Sequence, residues 1–461
     1  MEPERRVSGL TTSHEIRAAD LVARIWARDA TLWTGADEAK WLGWLDEPAR
    51  MLEQADSLLG LASSADYDHA VLLGMGGSSL APEVLRRSFG ASAFDVLDTT
   101  HPVAIRRLAG SLDLRRTLFI VSSKSGGTIE TRSHLDFFWE AADGDGSRFV
   151  AITDSGSGLE SLARARSFLH VLEGEPSIGG RYSALSGFGM LPAALMGLDV
   201  RRLLERAEEM REACRYGDGN PGLELGLALG EGWGEGRDKV ALAQITGGFD
   251  LWVQQLLAES TGKDGKGLVP VEGDGPDVQT HDVRLEHPYE LGQEFFRWEF
   301  ATAVAGSILG INPFDQPNVQ AAKDRTSAVL ERGTEPAVEP HGSLDELLAG
   351  AGERDYVAVC AFIDPAREPE LEPLLGRVRA TGRPLMRGLG PRYLHSTGQL
   401  HKGGPSSGLF VQVVDDPGEE LPIPGRAYGF RRLIAAQAEG DFEALRERGR
   451  HIVRVRLEDV T

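Results

Sequence analysis

Short apolar runs separated by helix-like stretches organise this chain. From about Tyr67, "HAVLLG", "TLFIVSS", "RFVAITD" and "FLHVLE" read as strands, with helical spacing between them. Strands alternating with helices predict a parallel, doubly wound α/β sheet. A helical stretch from about Ala184 to Trp233 follows. The alternation then restarts with "KVALAQIT", "DYVAVCAFID", "RPLMRGLG", "GLFVQVV" and "HIVRVRL", separated by helical patterns such as Glu290 to Leu309 and Pro317 to Leu330. Ahead of the first strand, "EIRAADLVARIWARDATLW" places Ile16, Leu21, Ile25 and Trp26 near one helical face. The pattern predicts a helical lead-in over 1–55 and two α/β domains in tandem, 56–215 and 216–461, the second with a C-terminal extension. The Gly- and Pro-rich "RYGDGNPGLE" marks the boundary between them.

Composition sharpens this reading. At 461 residues the chain exceeds one ordinary core, and 41% hydrophobic with 26% charged residues is a globular balance. Forty-nine basic against 70 acidic side chains give a net charge of −21, which argues against a nucleic-acid or anionic-membrane surface. A small anionic ligand would meet a repulsive field, so any phosphate site must be local and rich in donors. Cys214 and Cys360 have no metal-ligand spacing and read as free thiols of a reducing compartment. "MEPERRVSGL" lacks the apolar segment of a secretory signal and no run approaches a membrane span, so a cytoplasmic location is expected.

Two loops have the composition such a site requires. The first strand ends in "GMGGSSLAPE", where glycines let the backbone approach a ligand. Gly74, Gly76 and Gly77 do not complete G-x-G-x-x-G, because Ser79 takes the last glycine's place; Asp95 and Asp98 nonetheless keep a nucleotide reading open. "SSKSGGTIET" follows the next clear strand. Ser123, Ser125 and Thr128 offer hydroxyls, Lys124 a point charge, and Gly126 and Gly127 converging N–H groups, with Glu130 in the first turns of a helix. A Ser-rich helix cap is the plain alternative, whereas a sugar phosphate suits both loops. No G-K-[ST] order marks a nucleotide P-loop.

Candidate chemistry lies further along. "DLWVQQLLAESTGKDGKG" puts Gln255 and Glu259 on one helix face before a Gly-rich turn with Lys263 and Lys266. A carboxylate there suits a general base, although in isolation it reads as a solvated glutamate. "NPFDQPNVQAAKDRT" starts a second helix, with Gln316 and Lys323 two turns apart, and "SIGGRYSALSG" sets Arg181 after a Gly-Gly pair. Eleven histidines show no metal-ligand clustering, so no metal and no cofactor is expected.

These pieces resemble a known family, the glucose-6-phosphate isomerases built from paired sugar-isomerase (SIS) domains. "GMGGSSLAP", "SSKSGGTIET", "IGGRYSALSGFG", "QQLLAESTGKDGKG" and "GINPFDQPNVQAAK" occur in the family's order between Val71 and Lys323. "ARIWARDATLW", "LGWLDEPARM" and "RYLHSTGQLHKGGP" are similar to the isomerase half of transaldolase–isomerase fusions, here without a transaldolase half. The resemblance implies a glycolytic and gluconeogenic aldose–ketose isomerase of sugar phosphates, a homodimer, and a functional link to a transaldolase. It further implies that Glu259 moves the proton between C1 and C2, with Gln255 beside it, and that Arg181 stabilises the cis-enediolate. Ser123, Lys124, Ser125 and Thr128 would hold phosphate, with Gly77 and Ser78 near the sugar. Lys323 and Gln316 would line the far wall and help ring opening. The family's ring-opening histidine falls on His281 by its distance after Glu259; the surroundings "DVQTHDVRLE" depart from the family motif, and His395 and His401 are alternatives. A phosphosugar sensor would use the same loop without Glu259 or Lys323, and an isomerase of broadened specificity would also take mannose 6-phosphate.

Overall fold

The computed structural model describes residues 18–243, 247–283, 285–317, 319–331, 336 and 338–460, without the side chains of 319–324. The first half builds a wholly parallel sheet from β1 (His69–Gly74), β2 (Phe94–Leu97), β3 (Thr117–Ser122), β4 (Phe149–Asp154) and β5 (His170–Gly174), in the order β2-β1-β3-β4-β5. β3 is buried throughout and β1 almost so, because helices cover both faces. Four of these strands coincide with the apolar runs of the sequence. The edge strand β2 escaped that pattern, since only Phe94 and Leu97 of its four residues are buried.

From β1 the chain passes to β2 on one side, then returns to β3 on the other. The order therefore reverses between β1 and β3, with Gly74 paired to Ser122 at their carboxyl ends. Open α/β sheets bind ligands at such a reversal. Both Gly/Ser loops leave the sheet there.

The second half is also parallel but divided. β6 (Lys239–Ala243), β7 (Val269–Pro270) and β8 (Val278–Asp282) run in the order β7-β6-β8. β9 (Tyr356–Phe362), β10 (Leu385–Leu389), β11 (Gly408–Val414) and β12 (His451–Arg456) run in the order β10-β9-β11-β12. An antiparallel bridge, Glu272 with Leu385, joins the two pieces.

The helices knit the halves together. Helix Leu291–Leu309 packs against Val200–Ala213 and Pro221–Gly234, so the "RYGDGNPGLE" loop lies between two helices of one apolar cluster. Gly222, Gly226 and Gly230 recur every four residues along Pro221–Gly234, and Cβ atoms there would meet Phe300, Val304 and Ile308. Helix Phe430–Glu447 lies between the sheets. Phe430, Leu433 and Ala436 pack with the first sheet, while Ile434, Ala438, Phe442 and Leu445 pack with the second. Of the lead-in, Leu21 and Ile25 are buried and Trp26 donates to the Cys214 carbonyl at 2.9 Å; Ile16 lies outside the described residues. Cys214 and Cys360 are free and buried. Among the described residues no helix is long and apolar enough to cross a membrane.

Two consequences for stability follow from this packing. A Cβ on Gly226 would lie 2.5 Å from the Val304 Cβ and 2.6 Å from the Ala301 carbonyl. Gly226→Val is therefore expected to cost about 1–3 kcal/mol, read as a lower urea midpoint at unchanged m value. His401 is buried between Tyr393 and Phe410, and desolvation, helped by the neighbouring Lys402 charge, lowers its pKa from 6.5 to about 3. As pH falls below 6.5, the unfolded chain binds a proton that the folded chain refuses. Relative to His401→Phe, the parent should lose about 1.4 kcal/mol of unfolding free energy per pH unit between 6.5 and 4. Parallel stability profiles for the two proteins would contradict a neutral buried ring.

Candidate active site

At the reversal, close backbone approach explains the glycines. Gly76 has φ +54°, and a Cβ on it would lie 2.4 Å from the His395 carbonyl oxygen and 3.0 Å from Gln255 Nε2. A Cβ on Gly77 would lie 2.2 Å from the Gly180 carbonyl oxygen. The first loop thus touches the arginine turn, the carboxylate helix and a histidine turn, with Ser78 buried within it.

The second loop leads into helix Ile129–Ala141. Ser123 Oγ and Thr128 Oγ1 are 3.1 Å apart, and Thr128 occupies the N-cap position without closing a side-chain cap bond. The first-turn N–H groups are therefore not claimed by their own cap. Ser125 is exposed, and its Oγ accepts from the Gly127 N–H at 3.4 Å. Lys124 differs from the expected point charge. Its ammonium donates to Asp154 at 2.9 Å and to the Glu175 carbonyl at 3.0 Å, which ties the loop to the ends of β4 and β5.

Helix Phe249–Thr261 supplies the carboxylate. Gln255 and Glu259 are both buried on one face, and Gln255 Nε2 donates to Glu259 Oε2 at 2.9 Å. Arg181 Nη1 lies 3.4 Å from Glu259 Oε1. This arginine is 2% exposed and fully engaged: its Nε donates to Ser260 Oγ at 2.7 Å, and Nη2 donates to the carbonyls of Pro313 at 2.6 Å and Asp315 at 3.0 Å. Lys263, just past the helix, donates to the Asp315 carbonyl at 2.6 Å and to the Asn312 carbonyl. Burial, then the nearby Arg181 charge, lowers its pKa to about 8. Arg181 thus borders the buried carboxylate, and Lys263, itself ion-paired with Asp315 Oδ1 at 2.5 Å, lies within its field, an arrangement suited to charge developing on a substrate oxygen. Gln316 is exposed next to Asp315. Lys323 falls in helix Val319–Glu331, but its side chain is outside the described residues.

The histidines separate by position. His281 sits on β8, where Nε2 lies 2.9 Å from Gln279 Oε1 and the ring packs edge-on to Trp298; burial lowers its pKa to about 4. None of these contacts brings it to Glu259. His401 lies in the second core. His395 is the one joined to the carboxylate. Its carbonyl accepts from Gln255 Nε2 at 2.8 Å, and its Nε2 lies 2.8 Å from Glu130 Oε1. Burial alone would raise the Glu130 carboxyl, yet the charge and hydrogen bond of His395 prevail and hold it below its ordinary value. Glu130 stands two residues beyond Thr128, so the line Glu259–Gln255–His395–Glu130 links the carboxylate helix to the hydroxyl loop. Glu130 was not among the residues singled out from sequence as a site. An acidic residue in a helix's first turn ordinarily complements the dipole, and its burial beside a distant histidine leaves no local mark.

Residues 55–267 match the family described as phosphoglucose isomerase. A glucose-6-phosphate isomerase of Trichormus variabilis is 37% identical over 215 residues, covering 43% of this chain and 40% of that relative. The chain thus spans less than half the length of that relative. A glucose-6-phosphate isomerase of Citrifermentans bemidjiense is 29% identical over 393 residues, covering 66% of this chain and 72% of that relative. The solved glucose-6-phosphate isomerase of Chlamydia trachomatis shares the fold, with a TM-score of 0.52 at 19% identity over 68% of this chain and 78% of that one. Over residues 55–267, this chain is similar to the phosphoglucose isomerase family.

Proposed function

We propose that this chain interconverts D-glucose 6-phosphate and D-fructose 6-phosphate through a cis-enediolate. The observation that carries this reading is the hydrogen-bonded line from Glu259 through Gln255 and His395 to Glu130, because it joins a base to an anion cradle. In the proposed cycle the phosphate rests on the Ser123, Ser125 and Thr128 hydroxyls and the first-turn N–H groups of helix Ile129–Ala141. Lys124 stiffens that loop through Asp154. Gly77 and Ser78 run beside the sugar, and Gln316 with Lys323 closes the far wall.

His395 takes the ring-opening role in preference to His281. Its Nε2 faces the Glu130 carboxylate, which leaves Nδ1 to serve the sugar. Once the ring is open, Glu259 removes the C2 proton of the aldose and returns it to C1, while the hydroxyl proton at O2 moves to O1. Arg181 and Lys263 stabilise the oxyanion between these steps. Phosphate held away from C1 and C2 fixes their approach to the base. The reading extends to a cytoplasmic homodimer of two sugar-isomerase domains, 56–215 and 216–461, with a functional link to a transaldolase.

A coupled assay of fructose 6-phosphate formation tests the activity. Glu259→Gln should reduce turnover by about 10²–10⁴-fold with KM little changed. Near-parental turnover would remove Glu259 as the base. Tight sugar-phosphate binding without any isomerisation would instead identify a sensor, and a panel including mannose 6-phosphate sets the specificity. His395→Asn should lose most turnover while His281→Asn stays near the parent; the reverse outcome would restore His281. Ser123→Ala combined with Thr128→Val should act mainly on KM, as expected for groups that bind ground and transition states alike.

A further inference from the structure

Helix Phe430–Glu447 carries two buried polar residues one turn apart, Gln437 and Asp441, each 1% exposed. Apolar residues around them pack with both sheets, so two such groups are costly unless their hydrogen bonds are met. Both are met by the histidine turn Arg392–His395 or by the partner of its histidine. Gln437 Nε2 donates to Glu130 Oε1 at 2.6 Å, the same oxygen that faces His395 Nε2, and Thr100 donates to Gln437 Oε1 at 2.6 Å. Asp441 accepts from Tyr393 Oη at 2.6 Å through one oxygen and from Lys402 Nζ at 2.6 Å through the other. Arg392, at the start of the turn, is clamped by both oxygens of Asp98 at 2.5 and 2.8 Å.

We infer that Gln437 and Asp441 are positioning residues for His395. The inference rests on the reading of His395 given above and deepens it. Glu130 Oε2 is buried without a hydrogen-bond partner, so the carboxylate is held by donors on Oε1 alone. Thr100 fixes the amide of Gln437 with its N–H groups toward Glu130. That donor keeps Oε1 aimed at His395, so that Nε2 is the ring nitrogen turned to the carboxylate. Asp441 anchors the same turn from beneath through Tyr393, two residues before the histidine. One face of one helix thus sets both the height of the turn and the tautomer of its ring.

The test uses the full chain. Gln437→Met, close in size and without a donor, should lower kcat about 10-fold with KM unchanged, and Asp441→Asn should do the same to a smaller degree. Each loss should vanish when His395→Asn is already present, because a residue acting through His395 has nothing left to position. Losses that multiply with that of His395→Asn would overturn the inference and leave a structural role only. Side-chain ¹⁵N spectra of His395, assigned with His395→Asn, read the same geometry without turnover. The parent should show the Nε2–H tautomer and Gln437→Met a mixture of both; identical spectra would overturn the inference even if Gln437→Met proves inactive for other reasons. If the parent fails to isomerise any sugar phosphate, the proposed function falls, and these spectra still decide the positioning claim. Should Gln437→Met not fold, Asp441→Asn in the two backgrounds decides it.

Discussion

The amide of Gln255 is the contact on which the site depends. Its single nitrogen donates both to the Glu259 carboxylate and to the backbone of the histidine turn. A carboxylate buried to this degree needs partners for its oxygens. Here the neutral Gln255 amide meets one oxygen and the Arg181 guanidinium lies beside the other. Neither donor is free to wander, because Arg181 is tied to Ser260 and to two carbonyls of the 313–315 turn. Such groups are oriented before any ligand arrives, and reorganisation is therefore small.

Charge is managed locally. The chain carries −21 overall, yet the proposed phosphate loop contains only one lysine, and that lysine is spent on Asp154. What remains for an anion is a set of hydroxyls and uncapped N–H groups at a helix start. Dipoles of this kind attract a dianion over a short range and leave the long-range field unchanged. Arg181 stands instead at Glu259, where charge would develop in the proposed proton transfer.

Much of this was legible in the sequence, for physical reasons that can be named. β1 and β3 announce themselves because strands covered on both faces are continuous apolar runs. The four-residue spacing of Gln255 and Glu259 fixes a common helix face, and the structure shows them hydrogen-bonded there. β8 was not legible: "VQTHD" is polar, and only Gln279 of its five residues is buried. β7 is two residues long. Glu130 and Gln437 stayed hidden because their meaning lies in a contact 307 residues apart along the chain, which local periodicity cannot register. Among eleven histidines, distance along the chain from Glu259 points to His281, whereas the hydrogen bond of the His395 carbonyl to Gln255 is a contact that spacing alone cannot register.

The placement of helix Phe430–Glu447 has a consequence for how the molecule is made. Phe430, Leu433 and Ala436 cover a face of the first sheet whose strands all precede Gly174 in the chain. During synthesis that sheet can pair its strands early, but it must carry an unroofed oily surface until a far later segment emerges. Nascent chains in this condition are prone to stick to one another and depend on holding factors. The element that orders the site thus also governs how long the growing polypeptide remains vulnerable.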